Sequence, residues 1–207
     1  GQELKAKDML FSNGIYVSAD LFDIKTGESL KDTLSPMLSF KYYDKKHLIA
    51  GNHDAKDKIV VFSDPLCPYC ITYVPQVIKH VEKNSETIAL YYYHFPLLRL
   101  HPAADILTKL MDAAKHEGIK DVELKTYETK WSKYFSEREK DTQKIIDAFN
   151  KEFITNIDLA DLMKKEIISN VKNDIKMGEE IMVQGTPTIF INGQKDNSKL
   201  KYETLGK

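Results

Sequence analysis

Short apolar runs separated by polar turns predict a chain in which strands and helices alternate. The runs over residues 59–62, 88–93 and 189–191 are short enough for buried strands. Between the second and third runs, apolar residues recur three and four positions apart, which is typical of helices that bury one face. The pattern therefore predicts an α/β fold with helices inserted between its strands.

Four helices are predicted in the inserted segment, which spans about residues 97–183. The first begins near Pro102, and the fourth covers about residues 170–182. Asp141 and Asp158 are the predicted N-caps of the second and third helices, because a carboxylate accepts from the free N–H groups of a first turn. Three aromatic residues between the first two helices are predicted to join the core: Trp131, Tyr134 and Phe135.

Residues 1–54 are predicted to form a small N-terminal module, and residues 55–207 a larger domain that contains both cysteines. In the module, the pair Asn13-Gly14 lies between two apolar stretches, which is the strongest short signal for a β-hairpin. Residues 29–40 read as a weaker helical or linking stretch. A segment of this size without a cysteine staple or a large core rarely stands alone, so we expect it to pack on something else.

Charge and hydropathy give no case for nucleic acid or for a membrane span. Lys and Arg total 30 against 31 for Asp and Glu, so no electrostatic argument favours a polyanionic partner. No apolar stretch approaches the ~20 residues that cross a bilayer. At 207 residues, the chain fits one larger domain or an ordinary domain with an extra module.

The candidate chemistry lies in the motif Cys67-Pro68-Tyr69-Cys70, which holds the only 2 cysteines of the chain. Pro68 suits the first position of a helix, so Cys67 is expected at the helix N-terminus. The free N–H groups and the positive end of the helix dipole there favour a thiolate over a thiol. We therefore predict a reversible redox pair in which Cys67 is the nucleophile and Cys70 resolves the mixed disulfide.

Two alternatives to a redox pair are weaker. A structural zinc site would require two of the six histidines as further ligands. A purely structural disulfide would gain little, because closing so short a loop removes little entropy from the unfolded chain. We predict no metal and no cofactor.

A second motif, Gly185-Thr186-Pro187, lies at the start of the last apolar run. Proline cannot donate to a β-ladder, so at the first residue of a strand it leaves the preceding backbone free to bind an extended segment. A strand-initiating proline without a functional role is about equally compatible with this motif when it is taken alone.

Taken together, the two motifs and the order of the predicted strands resemble the thioredoxin superfamily over roughly residues 58–193. The details are most similar to the periplasmic Dsb proteins, particularly the DsbG and DsbC branch. The resemblance implies a thioredoxin-like fold with a helical insertion. It also implies that Pro187 is a cis-proline beside the cysteines and that Thr186 offers backbone hydrogen bonds to a substrate peptide.

The chain departs from the family pattern at several positions. Oxidase members often carry a buried acid six residues before the first cysteine, where this chain has Val61. Asp64 lies at the turn before the motif, where it could cap the helix or stay in solvent. His94 and His101 are interpreted as structural histidines. The segment after Gly193 is short and polar, so the last strand and helix of the fold are expected to be abbreviated or partly disordered.

The resemblance favours a thiol-disulfide oxidoreductase that isomerises or reduces disulfides in exported proteins. A DsbA-like oxidase that introduces disulfides is the first alternative, and a dimeric periplasmic chaperone is the second. The implied location is the periplasm, and the implied partners are unfolded or misoxidised exported proteins and a membrane redox protein of the Dsb type. In this branch the region before the redox domain forms a dimer interface, so a homodimer is expected, and an arm folded back on its own core is the alternative.

Overall fold

The structure, a computed structural model, describes residues 8–206. Its N-terminal part contains a two-stranded antiparallel hairpin, in which β1 (Phe11–Ser12) pairs with β2 (Val17–Ser18) around the predicted turn. A single-turn helix follows, α1 (Leu30–Thr33). From residue 8 to residue 37, no side chain whose burial is described is buried. This N-terminal arm thus keeps its predicted turn but makes no core of its own.

A five-stranded sheet forms the centre of the molecule. Its strands are β3 (Leu48–Gly51), β4 (Asp57–Ser63), β5 (Ile88–His94), β6 (Thr188–Ile191) and β7 (Gln194–Lys195). The spatial order is β3-β5-β4-β6-β7. The pair β4 and β5 is parallel, and every other neighbouring pair is antiparallel. The three predicted strands are therefore the three central ones, which are buried on both faces and so read as apolar runs.

In the part of the chain that the structure describes, six helices surround the sheet. The helix that crosses over between the two parallel strands is α2 (Pro68–Lys83). The other five lie between β5 and β6 and form the insertion: α3 (Ala104–His116), α4 (Val122–Glu128), α5 (Thr142–Phe153), α6 (Leu159–Leu162) and α7 (Lys165–Glu180). Short 3-10 helices cover Phe40–Tyr43, Lys45–His47, Trp131–Lys133 and Lys201–Thr204. The predicted α/β fold with an inserted helical segment is confirmed.

The two faces of the sheet are covered by different parts of the chain. Alternate residues of β4 and β5, among them Val61 and Tyr92, pack against α2 and the first helices of the insertion. The residues between them, among them Phe62 and Tyr93, pack against Tyr42 and the segment after α7. This alternation follows from the two-residue repeat of a strand, and it separates the two layers of the core.

Several predicted helix ends are confirmed. Asp141 accepts a hydrogen bond from the backbone N–H of Lys144, and Asp158 forms a capping box with Asp161. The last helix, α7, begins five residues before the predicted start, at Lys165. The helix α4 was not predicted, because its seven residues are too few for a helical repeat to stand out.

The sheet begins earlier in the chain than the predicted domain boundary between residues 54 and 55. Strand β3 precedes that boundary and is paired antiparallel with β5, and Leu38 and Tyr42 are already part of the core. The division into two domains stays a prediction, but the structure joins residues 38–54 to the sheet. The abbreviated C-terminal edge is confirmed, since the two-residue strand β7 and one 3-10 turn follow Gly193.

Among the described residues, no helix combines the length and the apolar character that are needed to span a lipid bilayer.

Candidate active site

The two cysteines lie where strand β4 leads into helix α2. Pro68 is the first residue of α2 and Cys67 is its N-cap, as the sequence predicts. Tyr69 is 77% exposed, whereas Cys67 is 4% exposed and Cys70 has no exposed surface. Cys67 is therefore less exposed to solvent than its position at a helix N-terminus alone would suggest. Both thiols are free, so the site is in its reduced, dithiol form.

The Gly185-Thr186-Pro187 motif lies next to the cysteine motif. The peptide bond between Thr186 and Pro187 is cis, and the Thr186 carbonyl oxygen lies 3.3 Å from Cys67 Sγ. A protonated Cys67 thiol donates to that carbonyl, although the two residues are 119 positions apart in the chain. The Thr186 hydroxyl is buried and makes no hydrogen bond of good geometry. The structure thus brings the two predicted site segments together at one end of the sheet.

The surroundings of Cys67 stabilise its thiolate. A hydrogen bond from the Cys70 thiol is the largest influence, and it lowers the pKa of Cys67 to about 5 together with the backbone N–H groups of Cys70 and Tyr69 and the nearby Thr186 hydroxyl. Burial acts in the opposite direction but is outweighed. The two backbone donors are the free N–H groups of the first turn of α2, so the predicted effect of the helix N-terminus is present.

Cys70 has the opposite character. Burial raises the pKa of the Cys70 thiol well above its ordinary value, and the hydrogen bond to Cys67 raises it further. Two donors act against this rise: the Ser63 hydroxyl and the Asp64 backbone N–H. At neutral pH the pair therefore holds one thiolate, at Cys67, and one thiol, at Cys70. An asymmetric pair of this kind can form a mixed disulfide at one sulfur and close on it with the other.

Asp64 neither caps helix α2 nor stays in solvent, so both expectations for this residue were wrong. Its side chain is fully buried and accepts hydrogen bonds from the backbone N–H of Leu66 at 2.8 Å and of Leu97 at 2.7 Å. The Asp64 carboxylate also pairs with His101 Nδ1 at 2.9 Å. A buried carboxylate needs such partners, and together they tie the turn before Cys67 to the start of the helical insertion.

The two histidines near this end of the sheet differ. His101 is a paired structural histidine, as predicted. The His94 ring is buried, burial lowers its pKa, and its Nδ1 has no hydrogen-bond partner among the described residues. His94 lines a cavity of about 340 Å³ beside the buried pair of His47 and Asp174. Among the side chains that the structure describes, no group of three or more His, Cys, Asp or Glu is arranged to hold a metal ion.

Sequence reasoning missed the polar groups behind Cys70. Tyr127 donates a hydrogen bond to Ser63 Oγ at 2.7 Å, and its hydroxyl lies 2.9 Å from that of Tyr92. Ser63 could have been found, because it lies two residues after Val61 and therefore on the same face of strand β4. Tyr127 could not, since it lies on the helix that the sequence pattern did not predict.

A thioredoxin-like sheet with a reduced C-x-x-C pair at the N-terminus of its crossover helix defines a class of protein, the thiol-disulfide oxidoreductases. The chain belongs to the thioredoxin family, whose family model, described as Thioredoxin, matches residues 44–207. The predicted resemblance to Dsb-type proteins and the predicted enzyme class, a protein thiol-disulfide oxidoreductase, are confirmed.

Individual relatives agree with this assignment. A probable disulfide bond formation protein D from Bacillus anthracis is 25% identical over 94% of this chain and 90% of that protein. The solved structure of oxidised BdbD from Bacillus subtilis has a TM-score of 0.60 at 19% identity, covering 82% of this chain and 91% of that chain. DsbA2 from Pseudomonas aeruginosa has a TM-score of 0.53 at 21% identity, covering 75% of this chain and 90% of that chain. The two solved structures share the fold.

Proposed function

We propose that Cys67 is the nucleophile and Cys70 the resolving thiol of a disulfide exchange reaction on exported proteins. The observation that carries this proposal is the difference between the two thiols. The pKa of Cys67 is lowered to about 5, chiefly by the hydrogen bond from Cys70, so this sulfur is ionised at neutral pH. Cys70 is fully buried and stays protonated until it reacts. Because Cys67 is ionised first, it forms the mixed disulfide, and Cys70 then resolves it.

The proposed substrate contact is the backbone around the cis-proline. An open cavity of about 270 Å³ lies beside it, lined by residues 185–189 and by Lys195, Asp196, Asn197 and Lys199. Thr186 lines this cavity, and its carbonyl oxygen lies 3.3 Å from the Cys67 sulfur. An extended peptide that pairs with the backbone of Thr186 would place its own sulfur next to Cys67, which is the geometry that disulfide exchange needs. Tyr69, two residues after Cys67, is also exposed.

The favoured direction is oxidation, in which the enzyme donates its disulfide to substrate thiols. A pair whose reduced form is stabilised by a low thiol pKa is a strong oxidant, because it releases free energy when it becomes reduced. The name of the Bacillus anthracis relative, a disulfide bond formation protein, supports the same direction. Isomerisation or reduction is the second candidate, since threonine before the cis-proline together with the C-P-Y-C motif resembles the DsbG branch.

Two single substitutions test the roles of the thiols. We expect Cys67→Ser to abolish both insulin reduction and the refolding of scrambled ribonuclease. Cys70→Ser should instead accumulate a mixed disulfide with the substrate at Cys67, which mass spectrometry detects. The Cys70→Ser variant is the matched control, because both variants lose one sulfur from the same motif. Unchanged activity of Cys67→Ser would contradict the proposal.

The direction is tested by equilibrating the pair with glutathione and by trapping free thiols in cells. An oxidase predicts a reduction potential above about −180 mV and a pair that is mostly oxidised at steady state. A potential below about −200 mV with a pair that is kept reduced would favour the isomerase or reductase instead.

The oligomeric state and the cellular location of the protein are two further parts of the proposed function. The N-terminal arm exposes a set of large apolar side chains: Ile15, Tyr16, Val17, Phe22, Ile24 and Met37. Exposed apolar side chains in this number favour a partner, and we propose a second copy of the chain. We also propose a periplasmic location and recycling by a membrane redox protein of the Dsb type, both on the family resemblance. Light scattering of the full chain should give the mass of a dimer, and a monomer at micromolar concentration would contradict the dimer.

A further inference from the structure

Three buried hydroxyl groups form a continuous chain behind Cys70. Tyr92 lies on β5, Tyr127 on α4 and Ser63 at the end of β4. All three side chains are buried, and the distances are 2.9 Å from the Tyr92 hydroxyl to that of Tyr127 and 2.7 Å from the Tyr127 hydroxyl to Ser63 Oγ. The Ser63 hydroxyl lies close enough to the Cys70 sulfur to act as a donor that lowers the pKa of this thiol. Three separate elements thus converge on one sulfur.

The direction of the chain follows from counting protons. Each hydroxyl has one proton to donate. Tyr127 donates its proton to Ser63, so the hydrogen bond between the tyrosines is donated by Tyr92. Ser63 keeps its own proton for the Cys70 sulfur. Every donor therefore points toward Cys70, and hydrogen bonds aligned in this way strengthen one another in a buried site.

Donors of this kind stabilise a fully buried cysteine chiefly when its sulfur is ionised to the thiolate. Without them, ionisation of Cys70 would leave an uncompensated anion in the core. The other ionisable groups around this sulfur are Cys67 on its own helix, the Asp64 carboxyl, which is paired with His101, and the two tyrosines themselves. Among these groups and their partners, His101 is the one base, and it is already paired with Asp64.

We propose that the chain from Tyr92 through Tyr127 to Ser63 stabilises the Cys70 thiolate in the step that makes or breaks the bond between Cys67 and Cys70. This proposal rests on the proposed function. In the resolving direction, Cys70 loses its proton and attacks Cys67 Sγ, and the bond from Cys67 to the substrate breaks. The substrate sulfur departs with the electron pair of that bond and takes up the proton. In the oxidising direction, a substrate thiolate attacks Cys67 and Cys70 is the leaving thiolate. The same donors therefore act in both directions.

Ser63 is the residue of this chain that acts directly on the reacting Cys70 sulfur, whereas Tyr127 and Tyr92 are positioning residues. Their substitutions should have graded effects. A hydrogen bond to a charged group corresponds to roughly a tenfold to hundredfold change in rate, so Ser63→Ala should slow resolution by at least about tenfold. Tyr127→Phe should slow it by about three- to tenfold, and Tyr92→Phe by less, because each removes a more distant link.

The experiment follows the two steps separately. Reduced protein is mixed with excess oxidised glutathione, quenched with acid at short times and analysed by mass spectrometry between pH 5 and pH 9. Formation of the glutathione adduct at Cys67 reports the first step, and its decay to the internal disulfide reports resolution by Cys70. We expect slower decay in the three variants, a shift of its pH profile to higher pH, and an unchanged rate of formation.

Tyr93→Phe is the matched control. Tyr93 is the next residue on the same strand and is equally buried, but its hydroxyl donates to the Tyr42 carbonyl on the other face of the sheet. This variant should resolve the adduct at the rate of the unmodified protein. The tyrosine variants keep the ring volume, so the chain can be tested even if Ser63→Ala folds poorly.

The possible failures are distinguishable. If the unmodified protein forms no adduct at Cys67, the proposed function fails and the hydroxyl chain loses its role with it. If the adduct forms but all variants resolve it at the normal rate and pH, only the hydroxyl chain is overturned. Equal slowing of both steps, in the Tyr93→Phe control as well, would indicate a general packing defect and would also overturn it.

Discussion

The end of the sheet that carries the thiols and the N-terminal arm use similar hydrogen bonds but differ in burial. At the sheet end, the buried carboxylate of Asp64 accepts two backbone N–H bonds and pairs with His101. In the arm, the Asp20 carboxylate accepts bonds of the same kind, from the backbone N–H of Lys31 and from the Ser29 hydroxyl. The arm, however, has no buried side chain among those described. The same hydrogen bonds therefore serve a core in one place and only a local turn in the other.

The largest effect is expected from removing the buried carboxylate. Asp64→Ala leaves His101 and two backbone N–H groups without their acceptor, and loss of one member of a buried pair costs about 3–5 kcal/mol. Urea unfolding of the reduced protein measures this change. Asp20→Ala is the matched control, and the unfolding midpoint of the core should not move. Equal effects of the two substitutions would remove the contrast between the regions.

A second test compares two glycines with positive φ. Gly51 ends strand β3 with φ at +79°, and a Cβ there would lie 1.9 Å from the Ile88 carbonyl oxygen. Gly51→Ala should therefore cost roughly 2–4 kcal/mol, from the left-handed backbone and the overlap together. Gly27 in the arm has φ at +74° with no atom within 4 Å of an added Cβ. Gly27→Ala should leave the unfolding of the core unchanged, and thermal melting of both variants checks the pair.

The pH dependence of folding stability tests whether the fold stabilises the Cys67 thiolate. Its folded pKa, lowered to about 5 chiefly by the Cys70 hydrogen bond, lies below the value of about 8.5 in an unfolded chain. Unfolding of the reduced protein therefore takes up a proton between these values. Stability should rise with pH across this window, by up to about 1.4 kcal/mol per unit, and should be lost as the pH falls toward 5.

Cys70 does not contribute to this slope, because its pKa is raised and it stays protonated in both states below about pH 8. Urea unfolding at pH 5.5 and pH 7.5, with Cys67→Ser as the control, isolates the Cys67 contribution. Identical slopes for the two proteins would mean that the Cys67 thiolate is not stabilised by the fold.

The smallest effect is expected from removing residues 1–37. This deletion breaks the hydrogen bond from Gln184 to Asp8 but keeps Leu38, whose backbone N–H donates to the Gly193 carbonyl. Core stability should change by no more than about 0.5 kcal/mol, because exposed contacts contribute little. Size-exclusion chromatography of the same variant should give a monomer if the arm forms the proposed dimer. A loss of several kcal/mol would instead mean that the arm folds as part of the core.

Much of this fold could be predicted because local sequence agrees with it. The central strands are apolar throughout, and two inserted helices start at aspartates that act as caps. The positions of Cys67 and Pro68 followed from the same local rules. These features depend on neighbours in the sequence, so a single sequence suffices to find them.

The surroundings of the thiols could not be predicted in this way. Asp64 finds His101 across 37 positions, and Tyr127 finds Ser63 across 64. Nothing in the local pattern of either residue distinguishes a buried, paired side chain from an exposed one. The proximity of Thr186 to Cys67 was expected only because the family resemblance implied it.

The separation of Cys67 and Thr186 by 119 positions in the chain has a consequence during synthesis. Both cysteines leave the ribosome long before the segment that covers them, and the inserted helices must be made in between. During this interval the nascent chain carries two thiols without the neighbour that shields the first. Until the segment that contains Thr186 is added, the Cys67 thiol of the growing polypeptide is open to reaction with other disulfides.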